Sequence, residues 1–235
     1  MEGREAASGG AAARENPPAV PLPAATLVLV RPGRRGNEVL LLRRPVTSGF
    51  APDHWVFPGG RVDPDDREIA HRGLAAGPAP AEWAAMLGID DPAEAAAYPL
   101  AAIRETFEET GILLIRGGVA PPQPDAVREG RRQLLRGEVT FATLLQRWGV
   151  TAATDELLPV GHWITPDWWH RRFDTRFFVT RVAEDSLCTL EGEELAGFRW
   201  LRPAAALRAA ARGAIRLLPP TVHTLRVLDE SPFIP

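Results

Sequence analysis

The chain has 235 residues, of which 45% are hydrophobic and 24% charged, with a formal net charge of -3, so it can bury a large core but offers no basic field for nucleic acid. The single cysteine excludes an internal disulfide, and the apolar runs are far shorter than the roughly 20 residues that a membrane helix needs. We therefore expect a cytoplasmic globular protein with neither nucleic acid nor a membrane as its partner.

The first predicted elements are a disordered lead-in and a β-hairpin. Residues 1–22 are rich in Ala, Gly and Pro and show no hydrophobic period, which indicates disorder. Two apolar runs follow, Ala25–Val30 and Glu38–Leu42, separated by a Gly/Pro turn, and they predict a hairpin. A short strand, His54–Phe57, then runs into Pro58-Gly59-Gly60, which predicts a sharp break.

The clearest helix is predicted over Pro99–Thr110. Its apolar residues Leu100, Ile103 and Phe107 recur at helical spacing. Gly111 stands where a left-handed residue would end the helix. This helix therefore has one apolar side that can pack on a sheet.

The remaining segments predict one α/β domain over residues 23–235. Residues 67–98 alternate short helical stretches with Gly and Pro and are interpreted as an insertion, and residues 123–149 are predicted to be helical. The arginines of this second segment, at helical spacing, are interpreted as a solvated face: Arg128, Arg131, Arg132 and Arg136. The other predicted elements are strands at Ile112–Ile115, Leu158–Ile164, Arg176–Val182 and Gly197–Leu201, and helices at Pro203–Arg212 and Pro220–Asp229.

Three acidic residues share one side of the predicted helix. At about 100° per residue, Glu105, Glu108 and Glu109 fall within an arc of roughly 100°. Carboxylates so close repel each other unless a cation neutralises them, and Mg²⁺ prefers such oxygen ligands. Arg104, four positions before Glu108, can hold one carboxylate in place. The alternative is an ordinary solvated face of an exposed helix.

The surrounding sequence resembles the Nudix box. Arg104 to Ile112, with the sequence RETFEETGI, is similar to its second half, and Phe57 to Asp66, with the sequence FPGGRVDPDD, is similar to its first half. Gly60 matches the box glycine, while Asp66 stands where the box has Glu and Thr106 where it has an apolar residue. The two halves are separated by 37 residues (67–103), far more than the box has.

A long insertion at this point is typical of the Nudix branch that includes peroxisomal coenzyme A diphosphatases. Three later segments also resemble that branch, so the resemblance runs from about residue 24 to 230: Arg172–Phe178, Phe198–Leu201 and Leu218–Thr221. The resemblance implies a Nudix-type α/β/α sandwich with a mixed sheet and helical insertions.

The resemblance also implies roles for the residues of the box. Glu105 and Glu109 would be the chief ligands of Mg²⁺ (or Mn²⁺), and Glu108 a further ligand or a base. The backbone carbonyl of Gly60 would complete the coordination, and Arg104 would orient the acids.

Other residues are candidates for contacts with the substrate. Arg43, Arg44 and Arg61 could bind phosphate oxygens, although surface arginines are also common in a chain whose basic residues are all Arg. Glu193 and Glu194 are candidates for a catalytic base from a loop beyond the box; the alternative is a polar turn. Trp168-Trp169 is a candidate for a wall of the binding site or for the contact of a homodimer.

The function implied is metal-dependent hydrolysis of the pyrophosphate bond in a nucleoside diphosphate linked to another moiety. Within the branch, the favoured substrate is coenzyme A or acyl-CoA, giving 3′,5′-ADP and (acyl)phosphopantetheine. An alternative small-molecule, nucleotide-derived substrate is ADP-ribose, NADH or another dinucleotide. An alternative of another class is a non-catalytic Nudix module that senses nucleotides, which the presence of all three glutamates disfavours.

Overall fold

The computed structural model of the chain describes residues 19–118 and 120–230. Most of the predicted disordered segment 1–22 lies outside these residues. The part that is described is tied to the fold, because the carbonyl oxygen of Ala19 accepts a hydrogen bond from Arg172 Nη1 at 2.8 Å. The first strand also begins at Leu22, so the predicted boundary at residue 22 is too late.

Strands and helices alternate along the described residues. The strands are β1 Leu22–Arg31, β2 Glu38–Arg43, β3 His54–Val56, β4 Gly59–Arg61, β5 Ala75–Ala76, β6 Ile115–Arg116, β7 Thr151–Ala153, β8 Leu158–Ile164, β9 Phe173–Arg181, β10 Gly197–Leu201 and β11 Arg216–Leu217. The helices are α1 Pro64–His71, α2 Pro80–Leu87, α3 Pro92–Thr110, α4 Pro124–Leu135, α5 Phe141–Trp148, α6 Pro203–Ala211 and α7 Pro219–Glu230. Within the described residues, none of these helices is both long and apolar enough to cross a membrane.

The main sheet is mixed and lies between two helical layers. Its strands follow the order β11-β3-β2-β1-β9-β8, with β10 added to β2 and β4 added to β1. Strand β1 runs parallel to β9 and antiparallel to β2. Leu27 and Leu29 face the core beneath α3, whereas Val28 and Val30 face the core beneath α6 and α7. Because both faces of β1 are buried, its sequence is a nearly continuous apolar run. The predicted α/β/α sandwich is confirmed.

The predicted break at Pro58-Gly59-Gly60 is a short strand. Strand β2 pairs only with the Val30 end of β1, so the other end of that edge is open to β4, where Thr26 pairs with Gly59. A Cβ atom at Gly59 would lie 2.4 Å from the carbonyl oxygen of Ala25, so only glycine allows this approach. The pairing holds the backbone of residues 59–61 beside helix α3.

Helix α3 is longer than predicted. It begins at Pro92, where the Asp91 side chain accepts a hydrogen bond from the backbone N–H of Ala93 at 2.9 Å. Pro99, predicted to be its first residue, lies inside it and leaves one backbone acceptor without its helical donor. The segment 95–103 is buried throughout, so tertiary packing offsets the lost hydrogen bond. It ends at Gly111 (φ +74°), as predicted.

The predicted insertion 67–98 folds against the domain. Helix α1 begins before it, at Pro64, and the predicted segment ends inside α3; α1 and α2 both pack on α3. A second small sheet has the order β5-β7-β6. The predicted strand Ile112–Ile115 is reduced to β6, because Ile112 and Leu114 instead pack into the core.

Candidate active site

The two halves of the Nudix-like motif meet where β4 lies beside α3. The backbone N–H of Gly59 donates to Glu109 Oε2 at 2.9 Å. A Cβ atom at Gly60 would lie 2.4 Å from the Cδ and Oε1 atoms of Glu105. Gly60 therefore leaves the carboxylate of Glu105 directly against the backbone of β4. The two halves are thus adjacent in space, although 37 residues (67–103) lie between them in sequence.

Arg104 joins these halves by using all of its N–H donors. Its Nε and Nη2 atoms donate to the two carboxylate oxygens of Asp66, each at 2.9 Å, and Nη2 also donates to the carbonyl oxygen of Arg61 at 2.8 Å. Its Nη1 atom donates to Glu105 at 3.0 Å and to Glu108 at 3.2 Å. Because the side chain is only 6% exposed, these bonds fix the guanidinium in one orientation.

Asp66, which stands where the box has the longer Glu, contacts Arg104 from the first turn of α1. Helix α1 begins at Pro64 and carries Asp66 in its first turn, where the carboxylate also accepts from the backbone N–H of Asp63 at 2.8 Å. Asp66 is fully buried, so its charge is compensated by Arg104 and this N–H rather than by water. The other departure from the box, Thr106, is satisfied by donating its hydroxyl to the Ala102 carbonyl at 2.7 Å.

The three glutamates of α3 have different environments. Burial raises the pKa of Glu105 to about 7, although Arg104 opposes the shift. Burial also raises the pKa of Glu108, again against Arg104. The pKa of Glu109 is raised well above its ordinary value, mainly by burial and then by the charge of Glu105. These raised pKa values mean that ionisation of the three carboxyl groups costs free energy. A bound cation would reduce that cost.

The oxygen atoms around Gly60 suit a hard divalent cation. Glu105, Glu108 and Glu109 offer carboxylates, and Gly60 has no side chain that would cover its carbonyl oxygen; Mg²⁺ and Mn²⁺ prefer this donor set. In residues 19–118 and 120–230, no three acidic, His or Cys side chains are grouped as a ready metal site. Glu105 and Glu108 turn toward Arg104, so a metal would require side-chain rotation.

The three arginines predicted to bind phosphate lie in different places. Leu40 and Leu42 belong to the core beneath α3, so the alternation of side chains places Arg44 on that face of the sheet. Its charge lowers the pKa of Glu109, and its Nε and Nη2 atoms donate to Ser48 Oγ at 3.1 and 2.7 Å. Arg43 pairs with Asp53 at 2.6 Å beside Trp55, which belongs to the core beneath α6 and α7. The side chain of Arg61 is exposed. The sheet therefore separates Arg43 from Arg44.

Glu193 and Glu194 lie in the loop between β9 and β10. Both are exposed, but it is the charge of Glu194 that contributes to the raised pKa of Glu109. The loop is fixed on both sides of this pair. The backbone N–H of Thr189 donates to the Thr110 carbonyl at 2.8 Å, and that of Ala196 donates to the Arg43 carbonyl at 2.7 Å.

Arg131 was wrongly interpreted as part of a solvated face. Its side chain is 2% exposed, and Nε and Nη2 donate to the carbonyl oxygen of Glu108 at 3.0 and 2.8 Å. A signal in the sequence was present, because Val127, Arg131 and Leu134 fall on one helical stripe, and both flanking residues pack against the core. Charge alone led to the wrong prediction.

The Trp168-Trp169 pair lies in the loop before β9. Trp168 is 78% exposed, while the ring of Trp169 contacts Phe50 edge-on, with the centroids 5.8 Å apart. The carbonyl oxygen of Phe50 accepts from Arg44 Nε at 2.9 Å. The aromatic cluster therefore continues from the arginine that lies beside the acids, and its role as a wall or as a dimer contact stays a prediction.

Comparison with known proteins decides the family. A profile of the NUDT19 Nudix domain matches residues 11–228. The chain belongs to the Nudix hydrolase family. The resemblance predicted from the split motif is thereby confirmed. Nudix hydrolases act on small nucleotide-derived substrates and generally use divalent metal ions.

Two curated relatives and one solved structure are similar over most of the chain. The human acyl-coenzyme A diphosphatase NUDT19 is 30% identical, covering 84% of this chain and 62% of the relative. The protein of the same name from Gallus gallus is 32% identical, covering 83% of this chain and 64% of the relative. A Nudix hydrolase from Alicyclobacillus acidocaldarius is 32% identical with a TM-score of 0.73, covering 91% of this chain and 93% of that one. The chain thus spans less than two thirds of the length of both curated relatives.

Proposed function

We propose that this Nudix hydrolase cleaves the diphosphate bond of coenzyme A or acyl-CoA in a reaction that depends on Mg²⁺ or Mn²⁺. Water would add across the P–O–P linkage: one bridging P–O bond breaks, the hydroxyl joins the attacked phosphorus, and the proton goes to the released phosphate. The products would be 3′,5′-ADP and (acyl)phosphopantetheine.

The observation that carries this proposal is the group of buried acids at the contact between α3 and β4. Arg104 holds Glu105 and Glu108 at 3.0 and 3.2 Å, whereas within residues 19–118 and 120–230 the Glu109 carboxylate accepts a hydrogen bond from the neutral N–H of Gly59 alone. A buried acid with so little compensation ionises readily only beside a cation, and once ionised it would repel an anionic diphosphate unless that cation lay between them. The site therefore requires the cation for substrate binding as well as for chemistry.

Glu105, Glu109 and the Gly60 carbonyl would hold the metal, with Glu108 as a further ligand. A bound divalent ion supplies charge neutralisation for the phosphoryl oxygens and acidifies water. Arg104 keeps Glu105 and Glu108 on the same side of α3, so that each would reach the metal by a rotation of its own side chain. Arg44 lies on the side of Glu109 and would donate to a phosphate oxygen.

Glu194 is the better of the two loop acids for the role of base. Its charge contributes to the raised pKa of Glu109, and its loop is bonded to the last residue of α3 through Thr189. Its own carboxylate is exposed, so it can reach a water molecule and return the proton to solvent.

The choice of coenzyme A is supported by the relatives named acyl-coenzyme A diphosphatase. The aromatic cluster of Phe50, Trp169 and Phe173 beside Arg44 adds an apolar surface next to the proposed phosphate contact. Such a surface suits a substrate with both a charged and an apolar part.

The test is a hydrolysis panel of coenzyme A, short- and long-chain acyl-CoA, ADP-ribose, NADH and dinucleoside polyphosphates, each with and without Mg²⁺ or Mn²⁺. We expect the highest kcat/KM on coenzyme A or an acyl-CoA, with no turnover in EDTA. Mass spectrometry after reaction in H₂¹⁸O identifies the attacked phosphorus. Preference for ADP-ribose or NADH would refute the substrate, and full activity in EDTA would refute the metal.

A further inference from the structure

Arg131 is a buried cation that lies outside the Nudix-like motif and contacts the end of helix α3. Two of its nitrogens donate to the carbonyl oxygen of Glu108 at 3.0 and 2.8 Å. Its Nη1 atom donates to the hydroxyl of Thr189 at 3.0 Å and lies 3.7 Å from the carboxylate of Glu191. One guanidinium thus connects helix α4, the last turn of α3 and the loop between β9 and β10.

The other arginines of this segment show that burial of Arg131 is specific. Arg128, Arg132 and Arg136 are all exposed and form ion pairs with acids close in sequence. Burial, in contrast, lowers the pKa of Arg131 and costs free energy that the carbonyl and hydroxyl contacts must offset. A methionine or leucine would fill this position of an apolar stripe at lower cost, so packing alone does not explain an arginine here.

Gly111 makes room for this contact. It adopts φ +74° at the end of α3, and a Cβ atom there would lie 2.8 Å from Thr189 Oγ1 and 3.0 Å from Arg131 Nη1. The free carbonyls at a helix C-terminus carry partial negative charge, which a cation stabilises. The carbonyl groups at the end of α3 therefore attract the guanidinium of Arg131, which also binds the hydroxyl of Thr189 there.

The loop anchored by Thr189 carries Glu194. Its first anchor is the bond from the Thr189 N–H to the Thr110 carbonyl at 2.8 Å, and its second is the bond from the Ala196 N–H to the Arg43 carbonyl at 2.7 Å. Glu194 lies between them. If the first anchor is lost, the loop can shift while the second holds, and the carboxylate of Glu194 moves relative to Glu109.

We propose that Arg131 is a positioning residue, which binds the end of helix α3 and Thr189 together so that the loop carrying Glu194 keeps its place against that end of α3. This proposal rests on the proposed function of Glu194 as the base. It adds a residue of α4, far from the motif in sequence, to the set that determines the turnover number.

The test is a double-mutant cycle of Arg131→Met and Glu194→Gln, with Arg131→Lys as a second variant that keeps the charge and Arg132→Met as the matched control on the same helix. If Arg131 acts by positioning Glu194, Arg131→Met lowers kcat about 10- to 100-fold with little change in KM. In the Glu194→Gln background the same substitution has little further effect, because the group it positions is already gone. An equal loss of kcat in both backgrounds would overturn the proposal.

Hydrogen exchange supplies a readout that does not require activity. The amide of Thr189 should exchange at least about 10-fold faster in Arg131→Met than in the wild type, with Arg131→Lys between them and Arg132→Met unchanged. Unchanged exchange in residues 188–196 of Arg131→Lys and Arg131→Met would refute the positioning role. A wild type that cleaves none of the panel substrates would instead refute the proposed function, and the exchange result would stand separately.

Discussion

Arg104 and Arg131 are two buried arginines that stabilise the same helix in different ways. Arg104 neutralises acids, because it donates to the carboxylates of Asp66, Glu105 and Glu108. Arg131 donates to a backbone carbonyl and a hydroxyl, with its nearest carboxylate at 3.7 Å. Charge compensation and backbone anchoring are therefore separate tasks in this site, and Glu109 receives a hydrogen bond from neither arginine.

The largest effect is expected on stability when Arg104 is replaced. Arg104→Met leaves Asp66 fully buried without its cation, which should lower the free energy of unfolding by about 3–5 kcal/mol. Arg131→Met leaves a carbonyl and a hydroxyl without donors and should cost about 1–3 kcal/mol. Urea denaturation of both variants measures the difference, with exposed Arg132→Met as the control. Equal losses would contradict the distinction between the two arginines.

Glu109→Gln should produce the largest loss of activity without a loss of stability. The substitution removes a proposed metal ligand, and we expect kcat/KM to fall by at least about 10²-fold. Because burial disfavours the charge of Glu109, the neutral amide should leave the unfolding free energy unchanged or raise it. Exposed Glu184→Gln is the control for both steady-state kinetics and thermal melting. Unchanged turnover would remove Glu109 from the mechanism.

Most of the fold could be predicted because its elements have strong local signals. Strands β8 and β10 have the predicted bounds, since hydrophobic periodicity and turn residues both mark them. Strand β4 could not be predicted, because a Gly-Gly pair has no strand propensity and forms the strand only where β1 leaves an open edge. The start of α3 was misplaced because Pro99 is a typical first residue of a helix.

The candidate site also has a part that the sequence predicts and a part that only the structure shows. The order of Arg104, Glu105, Glu108 and Glu109 on one helix can be read directly, because helical geometry places them on one side. The burial of Arg131 and the separation of Arg43 from Arg44 depend on contacts between elements distant in sequence. The sequence signal for the burial of Arg131 was the apolar stripe formed by Val127 and Leu134 on either side of it. Such a stripe indicates a buried face only when the surface that covers it is known.

Gly60→Ala should change the position of the Glu105 carboxylate without removing a charged residue, so it tests how far activity depends on geometry alone. The added methyl group would lie 2.4 Å from the carboxylate of Glu105 and force it away from β4, so we expect about a 10-fold loss of kcat/KM. Arg104 and all three glutamates are retained, so the acids remain neutralised to the same degree. Gly49→Ala is the matched control, because a Cβ atom there meets nothing within 4 Å. A wild-type rate in Gly60→Ala would show that close approach at this glycine is unnecessary.

The smallest expected effect is a pH dependence of stability that metal removes. Glu105 keeps its proton up to a pKa of about 7 in the folded chain, against 4.5 ordinarily. The folded state therefore binds more protons than the unfolded state in this window, and the unfolding free energy falls by up to about 1 kcal/mol per pH unit as pH rises. Mg²⁺ favours the ionised ligands and should flatten this slope. Comparing wild type with Glu105→Gln in EDTA isolates the contribution of Glu105; identical slopes, or stability rising more steeply with pH in the wild type, would show that burial does not hold this proton.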